Sequence, residues 1–373
     1  MSEKKLNVLV TGGAGFIGSH LVDALIARGH NVRVLDLLVP QVHDRVPTYL
    51  NPEAELISGD VCDPQTVSRA LIDIDAVFHQ AAEVGVGQSM YEIQRYVRAN
   101  DLGTAVLLEA MVEQRPFKKL VVASSMSIYG EGAYKCEQCG PIFPKLRRPE
   151  QLLARRWEVE CPVCLGELTP ALTDEDKPLF PTSVYAVTKQ DQEQYSLIVG
   201  HAYNIPTVAL RYFNVYGTRQ ALSNPYTGVC AIFSARLLND QKPLIFEDGE
   251  QTRDFVHVSD IVQANLLALE TNSADYQAVN VGTGKPTSVK QINRLLAKGL
   301  GKDLDPKIVG KYREGDIRHC VADISRARKL LGYEPRIHLE QGIPELLVWV
   351  REQSAKDQVE QATTELESRQ LVR

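Results

Sequence analysis

The apolar run Leu6-Asn7-Val8-Leu9-Val10, followed at once by T-G-G-A-G-F-I-G and then by apolar residues at helical spacing, confines the start of this chain to one kind of turn. Gly12 permits the tight bend, Gly15 lets backbone approach a pyrophosphate, and Gly18 lets the next helix pack closely on the strand. Phe16, Ile17, Leu21, Val22, Leu25 and Ile26 keep the helical period until Gly29 ends it. A helix that begins at such a turn aims its unpaired N–H groups at phosphate. Asp36, closing the second apolar run, stands where it would accept hydrogen bonds from a ribose 2′-hydroxyl, which selects NAD over its 2′-phosphorylated form. Asp60, in S-G-D-V with Val61 after it, is placed to reach the adenine, although Gly-Asp is also ordinary turn chemistry.

Short β-branched or apolar runs at 6–10, 32–35, 54–57, 76–78, 120–123 and 207–210 alternate with helical patterns. That rhythm means an α/β fold, a Rossmann-like doubly wound parallel sheet with helices on both faces. The expected organisation is a nucleotide-binding domain from 1–133 and 171–216, interrupted by an inserted segment at 134–170. A smaller C-terminal substrate lobe would occupy 217–353, apart from a strand near 278–283 that returns to the sheet, and it should contain a helix from about 289 to 300. Residues 354–373 form a polar tail, a surface helix or a frayed end.

With 44% hydrophobic and 24% charged residues the chain reads as a globular protein, and its 373 residues suffice for two domains. A formal net charge of -6 excludes a surface built for nucleic acid or an anionic membrane. The first strand starts too early to leave room for a signal peptide, and no apolar stretch is long enough to span a bilayer. The expected location is cytoplasmic, where cysteines are reduced thiols or metal ligands.

Tyr185 and Lys189 stand four residues apart in Y-A-V-T-K. On a helix they share a face, so the ammonium can sit beside the phenol and favour phenolate, lowering a pKa that is ordinarily about 10. Such a phenolate can take a hydroxyl proton near neutral pH. Alone the pair is weak, because a packed ring beside a solvated lysine is commonplace on helices. Its weight comes from following a nucleotide-binding turn and a serine-rich strand end in one chain.

Y-A-V-T-K is one of six ordered motifs, with F-H-Q-A-A at 78–82, S-S-M-S-I-Y-G at 124–130, L-R-Y-F-N-V-Y-G at 210–217, R-D-F-V-H-V at 253–258 and R-E-G-D at 313–316. With them the chain resembles the extended short-chain dehydrogenase/reductase family, specifically its nucleotide-sugar epimerases and dehydratases, from about residue 6 to about residue 333 apart from the insertion. The resemblance implies Ser125, Tyr185 and Lys189 as the catalytic residues. It places Phe16, Ile17, Val61, Ala81, Ala82 and Asn100 with the glycines and aspartates around NAD. Met126 and Asn214 would contact a nucleotide-diphosphate sugar, Arg253 and Arg313 its diphosphate, and Asp316 its ribose. A guanidinium fork suits phosphate oxygens, although a single surface arginine is more often a solvated charge. Family dehydratases carry Asp-Glu directly after the position of Ser125; here Met126 and Ser127 stand there, which leaves reversible oxidation and re-reduction at one sugar carbon. The family also implies a homodimer, built partly from the Tyr185 helix and the helix near Asn100.

The insertion contains C-E-Q-C and C-P-V-C, so Cys136, Cys139, Cys161 and Cys164 have the spacing of a tetrahedral structural zinc site. Thiols without metal are the alternative. The segment joins the Ser125 strand to the Tyr185 helix, so it should overhang the substrate mouth or an oligomer contact. Cys62, Cys230 and Cys320 lack metal spacing, and His79 and His257 read as structural. The ribbon together with G-V-G-Q-S-M-Y-E-I at 85–93 resembles the dTDP-L-rhamnose-using subgroup of 4-epimerases. A UDP-sugar 4-epimerase of galactose or glucuronate type, or a non-catalytic NAD-sensing binding protein, remain open readings.

Overall fold

The structure, a computed structural model, describes residues 5–43 and 45–373. Seven strands form one parallel sheet: β1 (Asn7–Thr11), β2 (Asn31–Asp36), β3 (Glu55–Ser58), β4 (Ala76–His79), β5 (Lys119–Ser125), then Thr207–Tyr212 and Gln277–Val281. In space they run from Gln277–Val281 through Thr207–Tyr212, β5, β4 and β1 to β2 and β3. Every strand starts or ends within two residues of its expected position, because β-branched runs between glycine and polar breaks mark their own limits.

Alternation across the pleat builds two cores. Val8, Val10, Val34, Phe78 and Val121 enter one layer with Leu21, Val22 and Leu25 of α1 (Phe16–Ala27). Leu9, Leu35, Val77, Leu120 and Val122 enter the other, against Leu107 and Met111 of the Gly103–Glu113 helix. A sheet buried on both faces needs strands that are apolar almost throughout, which is what these are. β1 pairs with β2 on one side and β4 on the other, so strand order reverses there and a crevice opens at the carboxyl ends of the strands.

The sheet is finished by a segment far along the chain. Asn280, on the edge strand, accepts a hydrogen bond from the Tyr129 hydroxyl at 2.7 Å and donates from Nδ2 to the Thr173 carbonyl at 2.9 Å. The smaller lobe is organised on Thr252–His257, which lies parallel to Asn214–Tyr216 and His319–Cys320 and antiparallel to Pro286–Ser288. Helices Val229–Leu238, Val289–Leu300 and Leu339–Arg351 close it around Phe233, Ile292, Leu296, Leu346 and Val350. The insertion is a three-stranded antiparallel ribbon, Gly140–Ile142, Ala133–Cys136 and Thr169–Ala171, with its own small core of Tyr134, Ile142, Val159 and Leu168. In the tail a helix spans Val359–Ser368 and turns Ala362 and Leu366, one helical turn apart, inward.

One buried ion pair fastens the Val184–Tyr203 helix to the sheet. Arg211, on the strand beside β5, grips Glu193 with two bonds of 2.6 and 2.9 Å, and both side chains are almost fully buried. Glu193 also accepts from the Ser124 hydroxyl at 2.7 Å, and Arg211 donates to the Tyr129 hydroxyl at 2.7 Å. Removing one partner strands the other charge in a dry interior. Glu193→Ala is expected to lower unfolding stability by about 3–5 kcal/mol in a denaturant titration; wild-type stability would contradict a structural role for the pair.

Candidate active site

The crevice is a cavity of about 500 Å³, within the range that holds a cofactor or a sizeable ligand. Gly12, Gly15, Phe16, Ile17, Gly18, Asp36, Asp60, Val61, Ala81 and Ala82 all line it, and so do Ser125, Met126, Tyr185, Lys189 and Asn214. Asn100, Arg253, Arg313 and Asp316 are not on its wall. Sequence order thus brings most of the candidate residues to one space, while the candidate diphosphate and ribose contacts lie beyond it on the smaller lobe.

The glycine turn fits a dinucleotide. Gly12 has a φ of +69°, and a Cβ there would stand 2.7 Å from the Ala81 nitrogen. A Cβ on Gly18 would stand 2.2 Å from the Gly12 carbonyl, so any side chain there would force the turn apart. Gly15 precedes α1 and no side chain caps that helix, leaving its first N–H groups free to face phosphate. Asp36 is pinned by the N–H groups of Ala14 at 3.0 Å and Leu38 at 2.8 Å, which fixes its carboxylate while leaving acceptor capacity for ribose hydroxyls. Asp60 accepts from the Cys62 N–H at 2.8 Å and pairs with Arg98 at 2.9 Å. Burial raises its pKa, but those two partners outweigh it and hold the carboxyl below its ordinary range.

Ser183 caps the Val184–Tyr203 helix through the Ala186 N–H, which sets where Tyr185 and Lys189 point. Tyr185 and Lys189 are both buried. Burial pushes the Tyr185 phenol up, and the neighbouring Ser125 hydroxyl pulls the other way. Burial also carries Lys189 down to about 7. The Lys189 ammonium was expected beside the phenol as its acidifying neighbour; the hydrogen bond that Lys189 Nζ makes is to Gln192 Oε1 at 2.8 Å. The cause is dielectric: a dry pocket penalises phenolate and ammonium alike, so neither charge comes free.

Gln192 was not singled out by sequence, although its place three residues after Lys189 on one helix makes the contact legible in retrospect. It continues to His79 at 3.2 Å and Thr104 at 2.9 Å. His79 is fully buried between Thr11 and Thr104, and burial lowers it to about 3, so it is a neutral, structural ring as expected. His257 is likewise structural, capping the Val258–Glu270 helix. Asn100 sits inside a π-helical turn, Val97–Leu102, and bonds the Glu83 N–H at 2.8 Å and the Thr188 hydroxyl at 2.9 Å. It therefore braces the residue beside Lys189. Gln220, Asn224 and Tyr226 also line the cavity; the irregular Gly- and Pro-broken stretch that carries them offered no periodic signal.

The ribbon does not overhang the cavity; it leans on the smaller lobe. Arg318, fully buried, pairs with Glu158 of the ribbon and with Glu247 and Asp248 of the lobe, and ribbon Arg147 pairs with Glu247 at 2.7 Å. Unpaired charges could not be buried there, so the ribbon supplies what the lobe lacks. The same stretch of the lobe orients the candidate anion contacts. Arg253 donates to the Ile317 carbonyl at 2.7 Å and the Arg318 carbonyl at 3.0 Å, and Arg313 pairs with Asp316 at 2.8 Å beside the Phe246 ring. The four ribbon sulfurs, from Cys136, Cys139, Cys161 and Cys164, lie within 4.8 Å of one another. Sulfurs on one tetrahedral zinc stand about 3.8 Å apart, so the cluster fits that ion.

Comparison with known proteins agrees with this geometry. Residues 8–149 match the NAD dependent epimerase/dehydratase family and residues 164–346 match GDP-mannose 4,6 dehydratase. The chain is 36% identical over 352 residues to dTDP-L-rhamnose 4-epimerase of Burkholderia thailandensis, covering 93% of this chain and 95% of that one. UDP-glucose 4-epimerase of Thermotoga maritima, solved with UDP-glucose, is 33% identical with a TM-score of 0.76, over 93% of this chain and 99% of the other. UDP-glucuronic acid 4-epimerase of Bacillus cereus, solved with UDP-glucuronic acid and NAD, is 30% identical with a TM-score of 0.75 over the same shares. The chain belongs to the NAD-dependent epimerase/dehydratase family, the extended short-chain dehydrogenase/reductases, among its nucleotide-sugar epimerases.

Proposed function

We propose that this protein inverts carbon 4 of dTDP-L-rhamnose, with Ser125, Tyr185 and Lys189 as the working residues. The observation that carries the reading is that Ser125, Tyr185 and Lys189 line the same cavity as the glycine turn. NAD, when held by Gly12, Gly15 and Gly18, supplies a reversible hydride acceptor. Tyr185 removes the proton from the 4-hydroxyl and later returns it, while Ser125 steadies the same oxygen. Lys189, turned by Gln192 and backed by Thr188 and Asn100, holds the cofactor ribose. The sugar passes through a 4-ketone and must present its other face before re-reduction.

Elimination chemistry needs a second acid, and Met126 and Ser127 supply none. Glu83 lines the cavity, but Arg95 holds its carboxylate at 2.9 Å. Similarity to the Burkholderia protein over nearly its whole length favours the rhamnose substrate. A second reading, a UDP-sugar 4-epimerase, is supported by the fold's match to the Thermotoga enzyme at comparable identity. We assign zinc to the four cysteines as a structural ion, since four thiolates leave no open coordination position. The protein would act as a homodimer through the exposed Val97, Leu102, Val187, Tyr195 and Ile198 on the helices near Asn100 and Tyr185.

Purified protein incubated with dTDP- and UDP-sugars, with no added reductant, is expected to convert dTDP-L-rhamnose to its 4-epimer by NMR; conversion of a UDP-sugar alone would replace the rhamnose reading with the second one. Tyr185→Phe should cut kcat by about 10²–10⁴ with NAD still bound, whereas turnover within twofold of wild type, roughly the noise of such assays, would remove Tyr185 from the chemistry. Elemental analysis should find zinc equimolar with chain, and Cys136→Ser with Cys161→Ser should abolish it; protein free of metal with four titratable thiols would refute the assignment.

A further inference from the structure

Residues 357–373 touch both lobes of the molecule. Asp357 pairs at 2.9 Å with the buried Arg236 of the smaller lobe. From there the Val359–Ser368 helix crosses to the nucleotide-binding side, where Leu366 lies 3.4 Å from the position a Cβ on Gly87 would take. The Arg369 guanidinium stacks 4.3 Å from the centre of the Tyr91 ring. Chain direction then reverses, and the last residues of the sequence lie antiparallel to 312–314 of the smaller lobe. Three backbone bonds of 2.8–3.0 Å make that ladder, two between Tyr312 and Arg373 and one from the Glu314 N–H to the Leu371 carbonyl. Val372 stands opposite Arg313 itself and is buried.

The carboxyl end of this segment makes two contacts that lead toward candidate ligand-binding residues. In the first, Tyr91 shares a 2.6 Å hydrogen bond with the hydroxyl of Tyr226, which lines the cavity and packs on Gly85. In the second, the ladder fixes the backbone of Arg313, the candidate diphosphate contact. Lys311–Glu367 adds an exposed pair between them, which contributes little by itself.

We infer that residues 358–373 form a strap that sets Arg313 and the Tyr91–Tyr226 pair in one register, positioning both ends of a bound nucleotide sugar, with Arg369 and the terminal ladder as the positioning elements. The inference rests on the proposed epimerase reading and deepens it. Chemistry of that type makes a demand that simple oxidation does not: the 4-keto sugar must turn over without leaving. If it leaves, the hydride and the hydroxyl proton taken from the sugar stay behind, the ketone is released as product, and the next turnover cannot begin. A strap tied across both lobes hinders that escape without placing a residue of its own on the cavity wall.

The test compares wild type, a variant lacking 358–373, and Arg369→Ala, the last at a half-exposed side chain whose loss leaves the ladder intact. The shortened variant should show KM for the sugar nucleotide raised about tenfold, a smaller fall in initial kcat, dTDP affinity reduced to the same degree by calorimetry, and reduced-nicotinamide fluorescence that accumulates with free 4-keto sugar. Arg369→Ala should raise KM about threefold, the worth of one exposed cation–π contact, with the melting temperature and copurified NAD of wild type. Wild-type KM and dTDP affinity in both variants, or a fall in melting temperature alone, would overturn the strap. If wild type turns over no sugar while the shortened variant still loses dTDP affinity, the strap stands and the epimerase reading falls.

Discussion

A buried guanidinium on the sheet, gripping a carboxylate of the Tyr185 helix, is the contact on which the geometry of the candidate site depends. Ser125 closes one strand and Tyr185 opens a helix, with the whole ribbon between them in sequence. Nothing local holds the two hydroxyls together. The Arg211–Glu193 pair, sharing its carboxylate with Ser124, does so at long range by fixing the helix at its middle against the end of β5. Charges in such a place are costly to bury, so their retention makes sense only if they specify position rather than add stability. In the proposed chemistry position is what matters, since a misplacement of about an ångström costs a large part of the rate.

The sheet and the dinucleotide turn were legible in sequence because both are written locally. Strand limits follow from apolar runs, and Gly12 and Gly18 sit where no side chain fits. Candidate residues from seven separate segments meet in one cavity, as the motif order implied. What sequence did not disclose depends on three dimensions. Spacing does not encode burial, and burial pushes both Tyr185 and Lys189 toward their neutral forms. Gln220, Asn224 and Tyr226 lie in an irregular stretch with no period to read. The tail's composition is polar, and only Ala362, Leu366 and Val372 face inward, too sparse a pattern to announce a packed segment.

The ribbon acquires a purpose from its neighbours rather than from its sulfurs. Arg147 and Glu158 complete a cluster of charges around Arg318 that neither the ribbon nor the lobe could bury alone. Because Arg253 donates to the Ile317 and Arg318 carbonyls and Arg147 of the ribbon donates to the Asp316 carbonyl, the ribbon's fold bears on the candidate anion contacts. A metal at its tip would then act at a distance, by keeping the braces stiff.

Asn280 and its strand carry one more consequence. The edge strand that completes the nucleotide-binding sheet comes after a long stretch of the smaller lobe in sequence, and the Asn280 amide on it bonds both Tyr129 and the segment that follows the ribbon. Neither lobe is therefore a contiguous stretch of chain, and a cut between them in sequence yields no free-standing half. During synthesis the ribosome must release well over two-thirds of the polypeptide before the first domain can close, so its early strands wait, partly unpaired, for a partner made late.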